Sequence, residues 1–289
     1  MIAVYKRELK GYFTSMIGYV FLAFMVLVVS IYFMAYNLYQ GYPYTSYALY
    51  TAQFCFLIAI PFLTMRSMAE DRKTKTDQLL LTAPVKTTSI VLGKYLAMVT
   101  VLGIACLIYC LYPLMLVIFG SSYALVADYV AILAFFLMGC VYIGVGLFIS
   151  SLCESQVIAV VVTFGVCFLM YMWPSLVEFL PTSAYSNLLM LAAIIIVVAL
   201  IIYALSRNFI LAGIIGVGGV LVSCLVYWNN SDLFDSLVTN ALGTFSITEP
   251  FYNVAVNQVF DLSGMLMYLA LIVLTLFLTV QCMQRRRWN

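Results

Sequence analysis

Long apolar runs separated by short polar stretches set the pattern of the chain from Ile17 onward. A hydrocarbon layer about 30 Å thick is crossed by about 20 apolar residues in a helix. Eight runs reach that length: Ile17–Asn37, Tyr47–Met65, Leu92–Phe119, Tyr129–Ser151, Val157–Leu176, Ala184–Leu205, Ile210–Trp228 and Leu262–Cys282. The pattern predicts an all-α, polytopic membrane protein with about eight transmembrane helices. Within the runs, Pro113 predicts a kink in the third, and Gly139, Gly144 and Gly146 predict weak points in the fourth. Trp173-Pro174 ends the fifth, Pro181 closes a turn, and Ser206-Arg207-Asn208-Phe209 leaves room only for a tight hairpin between the sixth and seventh.

Residues 1–16 carry a different pattern. Ile2, Tyr5, Leu9, Tyr12, Phe13 and Met16 fall on one helical face, while Lys6, Arg7, Glu8 and Lys10 take the rest. A helix so divided lies in the membrane interface with its apolar side among acyl chains and its lysines near lipid phosphates; the bland alternative is a basic flank that orients the first span. No small-residue cleavage site follows the first apolar run, so that run is read as a retained span and not a signal peptide.

Composition sharpens this picture. The chain is 66% apolar and 8% charged, with mean hydropathy +1.12, against about 25% charge in a water-soluble domain. A soluble globular enzyme is thereby excluded. Thirteen Lys and Arg against eleven Asp and Glu leave a charge of +2, which supplies no basic face for nucleic acid. Histidine is absent, removing the commonest general base and metal ligand. The eight cysteines lie almost all in apolar runs and read as small packing residues. Cys106 and Cys110, one turn apart, lack any nearby carboxylate that would complete a metal site.

Lys and Arg stay on the cytoplasmic side of a membrane. With both termini inside, all thirteen basic residues fall there: Lys6, Arg7 and Lys10, the cluster from Arg66 to Lys94, Arg207, and Arg285 to Arg287. The long outer segment Asn229–Asp261 then carries acids and no Lys or Arg. Asp128, Glu154 and Glu178 each fall at a span end, where water is expected, so no charge marks an ion path through the hydrocarbon.

The single long cytoplasmic loop, residues 66–91, mixes charges, and Asp77 would cap a short helix from Gln78 bearing Leu79 and Leu80, with Pro84 ending it. Such a loop is either a docking surface for a soluble protein or a solvated connector. In the outer segment, Phe251, Tyr252, Val256 and Val259 would share one face of a short helix. Tyr39, Tyr42, Tyr44, Tyr47 and Tyr50 read as an interfacial aromatic belt.

Several of these stretches resemble one family. Lys6-Arg7-Glu8-Leu9 with Tyr12-Phe13-Thr14-Ser15-Met16-Ile17-Gly18-Tyr19-Val20-Phe21 looks like the opening of the type-2 ABC exporter permeases, gliding-motility subgroup. Met65-Arg66-Ser67, Glu70-Asp71-Arg72-Lys73, Thr76, Leu79-Leu80-Leu81-Thr82, Pro84-Val85 and Gly93-Lys94 resemble the loop between its second and third spans. Ser150-Ser151-Leu152 with Gln156, Phe260-Asp261-Leu262 and Arg287-Trp288 resemble its later landmarks.

The resemblance implies a membrane subunit of an exporter in the bacterial inner membrane. ATP and Mg would be bound by two separate ATPase subunits, not by this chain, and a second permease copy or paralogue would complete the transporter. Glu70, Asp71, Arg72, Thr76, Gln78, Leu79 and Pro84 would form or frame the helix that couples to the ATPase. Lys6, Arg7, Tyr12 and Phe13 would belong to the family's elbow helix. The chain departs from the family pattern at Met16, Lys75 and Gln78, where Pro, Gly and Glu are usual. Spans six and seven, residues 184–228, would be an extra hairpin on a six-span core, and residues 229–261 would hold short re-entrant helices. Gly213, Gly216, Gly218 and Gly219 would let another helix approach, or would simply pack.

An aromatic, nearly charge-free cavity between two copies would suit a hydrophobic or amphipathic cargo such as a peptide or lipid-like compound. No G-x-x-x-x-G-K-[ST] occurs in the chain. The competing readings are a membrane-embedded enzyme, which would want a polar catalytic cluster, an ion-coupled carrier, which would want intramembrane charge, and a non-transporting scaffold or sensor on the same fold.

Overall fold

The computed structural model describes residues 1–73, 86–118, 125–206, 209–229, 235 and 237–288. Every regular element among them is a helix. In chain order they are α1 (Ile2–Thr14), α2 (Ile17–Phe33) continued by a π-helical segment (Met34–Tyr39), α3 (Thr45–Ala52), α4 (Cys55–Thr64), α5 (Ala69–Lys73), α6 (Thr87–Tyr109) and α7 (Leu111–Ile118). There follow α8 (Leu125–Leu152), α9 (Gln156–Glu178), α10 (Ala184–Ser206), α11 (Phe209–Asn229), α12 (Leu237–Gly243), α13 (Glu249–Ala255) and α14 (Leu262–Trp288).

Six of these helical stretches are long and apolar enough to cross a bilayer: Ile17–Tyr39, Thr87–Ile118, Leu125–Leu152, Gln156–Glu178, Ala184–Ala204 and Leu262–Arg285. Where the sequence predicts the second span, two helices meet at a 61° bend. The bend needs neither Pro nor Gly. Gln53, Phe56 and Leu57 each bond the carbonyl three residues back, tightening the coil for one turn at 3.0–3.3 Å. The predicted seventh span contains a shorter apolar stretch, Gly216–Trp228.

Proline acts differently at Pro61, Pro113 and Pro174. α6 ends at Tyr109, four residues before Pro113, where the proline ring would meet a helical carbonyl; the helix is interrupted at Cys110, where the kink is expected, and resumes at Leu111. Pro174, by contrast, does not end the fifth span, because α9 continues through it to Glu178. Pro61 likewise lies inside α4.

The chain divides into two compact units, residues 1–171 with 247–289, and residues 172–246. In the first, α8 is the hub and packs against α3, α4, α6, α13 and α14. Its glycines are not weak points, since α8 is continuous over 28 residues. They are contact sites instead. A Cβ at Gly146 would lie 2.6 Å from Thr64 Oγ1, and one at Gly144 2.5 Å from Thr275 Oγ1. At Gly139 it would lie 2.6 Å from a Leu102 methyl. Lipid is as apolar as leucine, so close backbone approach and dispersion, not expulsion from water, hold such helices together. Around the hub, the Phe56 ring lies 4.5 Å from Phe135 and 5.8 Å from Tyr142, and Phe135 lies 5.7 Å from Phe251. Cys55, Cys106, Cys140 and Cys167 are buried as free thiols.

The outer segment forms α12 and α13, but α13 buries Phe251, Val254 and Ala255. That face differs from the predicted one: the helix stops at Ala255, so Val256 and Val259 fall outside it, and Tyr252 is partly exposed. The tyrosines after the π-helical segment pack locally. Asn37 Nδ2 donates to the carbonyls of Tyr42 and Tyr44 at 2.9 and 2.8 Å, and Tyr42 stacks on Tyr47 at 5.2 Å.

In the second unit α10 and α11 pack on each other, with Gly216 and Gly219 turned to Ala199 and Ile195. Asn187 binds this unit's turns, accepting from Val238 N at 3.2 Å and donating to the carbonyls of Pro181 and Ser183. Trp173 Nε1 donates to Leu242 O at 2.8 Å.

Candidate functional site: an ion-paired knot at the helix ends

The apolar stripe of α1 rests on the protein. Tyr12 is buried, and Tyr5, Leu9 and Phe13 pack against the core. Tyr5 OH shares a 3.1 Å hydrogen bond with Thr100 Oγ1, and Tyr12 OH donates to Leu63 O at 3.3 Å. Gly93 makes this approach possible, because a Cβ there would lie 3.1 Å from Val4 Cβ and 3.2 Å from Met1 O. Phe13 meets the Tyr19 ring edge-on at 5.2 Å.

Beside Gly93 stands Lys94, only 1% exposed. Its Nζ lies 2.5 Å from Asp71 Oδ2 and 3.4 Å from Glu8 Oε1, and it donates to the Ser67 carbonyl. Glu8 in turn pairs with Arg7 at 2.7 Å, and this hydrogen bond raises the Arg7 pKa above its ordinary value. Arg66 pairs with Glu70 one turn on. Cations and carboxylates therefore alternate from Arg7 through Glu8 and Lys94 to Asp71, joining α1, α5 and α6. A buried ammonium needs such partners, since its desolvation is otherwise uncompensated.

α5 is also fastened to the end of α8. Ser150 Oγ accepts from the backbone N–H groups of Met68 and Ala69, each at 3.2 Å. Arg72 Nη1 donates to Cys153 O at 2.9 Å. One side chain thus satisfies donors entering α5 and another satisfies a carbonyl leaving α8. Between α1 and residues 66–71 lies a cavity of about 220 Å³ lined by Arg7, Glu8, Tyr12, Arg66 and Glu70.

Of the residues predicted to meet the ATPase, Glu70, Asp71 and Arg72 come together here, turned to Arg66, Lys94 and Cys153 O respectively. Thr76, Gln78, Leu79 and Pro84 lie outside the described residues, as does the helix predicted from Gln78. Among the elbow residues, Lys6 and Arg7 are exposed and Tyr12 is buried. Counted by charge alone, Lys94 falls with the loop. A lone lysine inside an apolar run, two residues past the predicted start at Leu92, was the signal that a buried partner exists. The span-end position of Asp128 likewise predicts water there. Instead Asp128 is fully buried and accepts from Ser46 N at 3.0 Å, satisfying a donor in the first turn of α3.

A family model described as ABC-2 family transporter protein matches residues 9–212. The matched stretch takes in Arg66, Asp71 and Lys94 of the knot, begins just after Arg7 and Glu8, and runs on through α10. No curated protein and no solved structure matches.

Proposed function

The chain belongs to the ABC-2 transporter family, and from that membership we propose that it is the permease half of an ATP-driven exporter of the gliding-motility type, coupled to ATPase subunits through residues 66–91. As an ABC transporter permease it is a multi-pass membrane subunit of a kind that normally works with ABC ATPase subunits. In this reading two ATPase subunits and a second permease, identical or paralogous, complete the transporter. Eight spans cross the bacterial inner membrane with both termini cytoplasmic, α1 serves as the elbow helix, and the cargo is hydrophobic or amphipathic.

The observation that carries the reading is the ion-paired knot. Asp71 lies in the first part of the stretch assigned to the ATPase and is bound to Lys94 in α6, which is paired with Glu8 in α1. Force applied to that stretch enters α6 through a short charge-assisted contact, α1 through the longer Lys94–Glu8 ion pair, and a third helix, α8, through Ser150 and Arg72. A mere connector has no need of such anchorage at its first turn.

Replacing residues 74–83 by a Gly-Ser linker of equal length, with the anchoring residues kept, tests this. A co-expressed ABC ATPase should co-purify with the parent chain in detergent and be lost from the variant, while membrane insertion is unchanged. Full retention of the ATPase would overturn the coupling assignment. The cargo assignment fails if reconstituted ATPase activity is stimulated only by small hydrophilic solutes.

A further inference from the structure

A second cavity of about 420 Å³ opens beside the knot, lined by Arg7, Lys10, Gly11, Thr14, Ser15 and Arg66. Its chemistry differs from that of its neighbour: three cations, two hydroxyls and no carboxylate. We propose that this cavity binds the phosphate of an anionic phospholipid, whose acyl chains run down the exposed apolar residues at the start of α2.

Four observations carry the assignment. Arg7 and Arg66 each use a carboxylate on one side, Glu8 and Glu70; a guanidinium has five N–H donors, so donors remain. Lys10 makes no ion pair among the described residues. Ser15 Oγ is shielded from water and has no hydrogen-bond partner, whereas Thr14 Oγ1 already donates to Lys10 O at 2.7 Å. Directly after Ser15, Met16, Tyr19 and Val20 are 73%, 58% and 66% exposed. In a membrane protein such a face meets lipid tails. A free phosphate would satisfy the cations and leave that face unexplained, so a phospholipid is the occupant that fits both parts.

Gly11 supplies a clean test, because nothing lies within 4 Å of a Cβ placed there. Gly11→Leu should fill the cavity without disturbing the fold. The full-length chain in detergent micelles would be titrated with phosphatidylglycerol, phosphatidylcholine or inorganic phosphate, following both binding and the unfolding temperature. Phosphatidylglycerol should bind saturably and at least about tenfold more tightly than phosphatidylcholine, and inorganic phosphate should not displace it at millimolar concentration. Lys10→Gln should weaken phosphatidylglycerol about fivefold, near the effect of one cation at an anionic surface, and Gly11→Leu should abolish the saturable phase. Equal binding of phosphatidylcholine, displacement by inorganic phosphate, or indifference to both substitutions in variants that unfold at the parent's temperature would overturn the assignment.

Discussion

Lys94→Met removes the central cation of the knot while keeping most of the side-chain stem. Asp71 and Glu8 then lose a partner at 2.5 and 3.4 Å, and the Ser67 carbonyl loses its donor. Removing one member of a fully buried pair costs about 3–5 kcal/mol. Here the two carboxylates keep 20% and 17% of their exposure and can draw in water. Glu8 also keeps Arg7. The loss should therefore fall at or just below the bottom of that range, about 2–3 kcal/mol. For a chain of this size that corresponds to a fall in Tm of roughly 3–5 °C. Thermal unfolding in detergent would be compared for the parent, Lys94→Met, Asp71→Asn and the double variant. Once the orphaned charge at Asp71 is gone, the second loss should be smaller, giving a coupling energy of about 1–2 kcal/mol. A Lys94→Met protein that melts within about 1 °C of the parent, or strictly additive losses, would refute the knot as a stabilising and transmitting element.

Three further outcomes follow from the packing. Gly146→Ala should destabilise by about 1–3 kcal/mol through overlap with Thr64, while Gly165→Ala, with nothing within 4 Å, should be neutral or stabilising by about 0.5–1 kcal/mol; denaturant titration reads both signs. Asp128→Ala should cost about 1–3 kcal/mol by orphaning Ser46 N, and Asp128→Asn, which keeps an acceptor, should lose less in the same assay. Burial holds the Tyr12 hydroxyl above the ordinary tyrosine pKa, so its contribution to stability is complete below about pH 10 and is lost as pH rises toward the folded-state value; stability measured across that range should fall less steeply in Tyr12→Phe.

Much of this architecture was legible because an apolar run of fixed length allows little besides a helix. The helix over Ala184–Ser206 begins where its run begins, and α1 follows its stripe closely. What escaped depends on neighbours distant in sequence. Gly139, Gly144 and Gly146 read as weak points because a lone chain shows only their low helix propensity, whereas the fold uses their missing side chains. Pro113 and Pro174 look alike in sequence but act differently, one ending a helix and the other being absorbed. The bend at Gln53 has no local punctuation at all. For the candidate site, Glu70, Asp71 and Arg72 were identifiable from their motif, and the residues that hold them, Glu8, Lys94 and Ser150, were not assigned that role, because no periodicity links positions so far apart.

The knot also imposes an order on biogenesis. Glu8 and Asp71 are both synthesised before Lys94. At about 5–20 residues per second, the N-terminal helix waits several seconds with Arg7 as its only ionic neighbour on the carboxylate. Closure comes only once the start of α6 has been delivered beside it, so until then neither Glu8 nor Asp71 has the ammonium that joins them. The ammonium that joins the finished bundle is thus the last member of the network to be made.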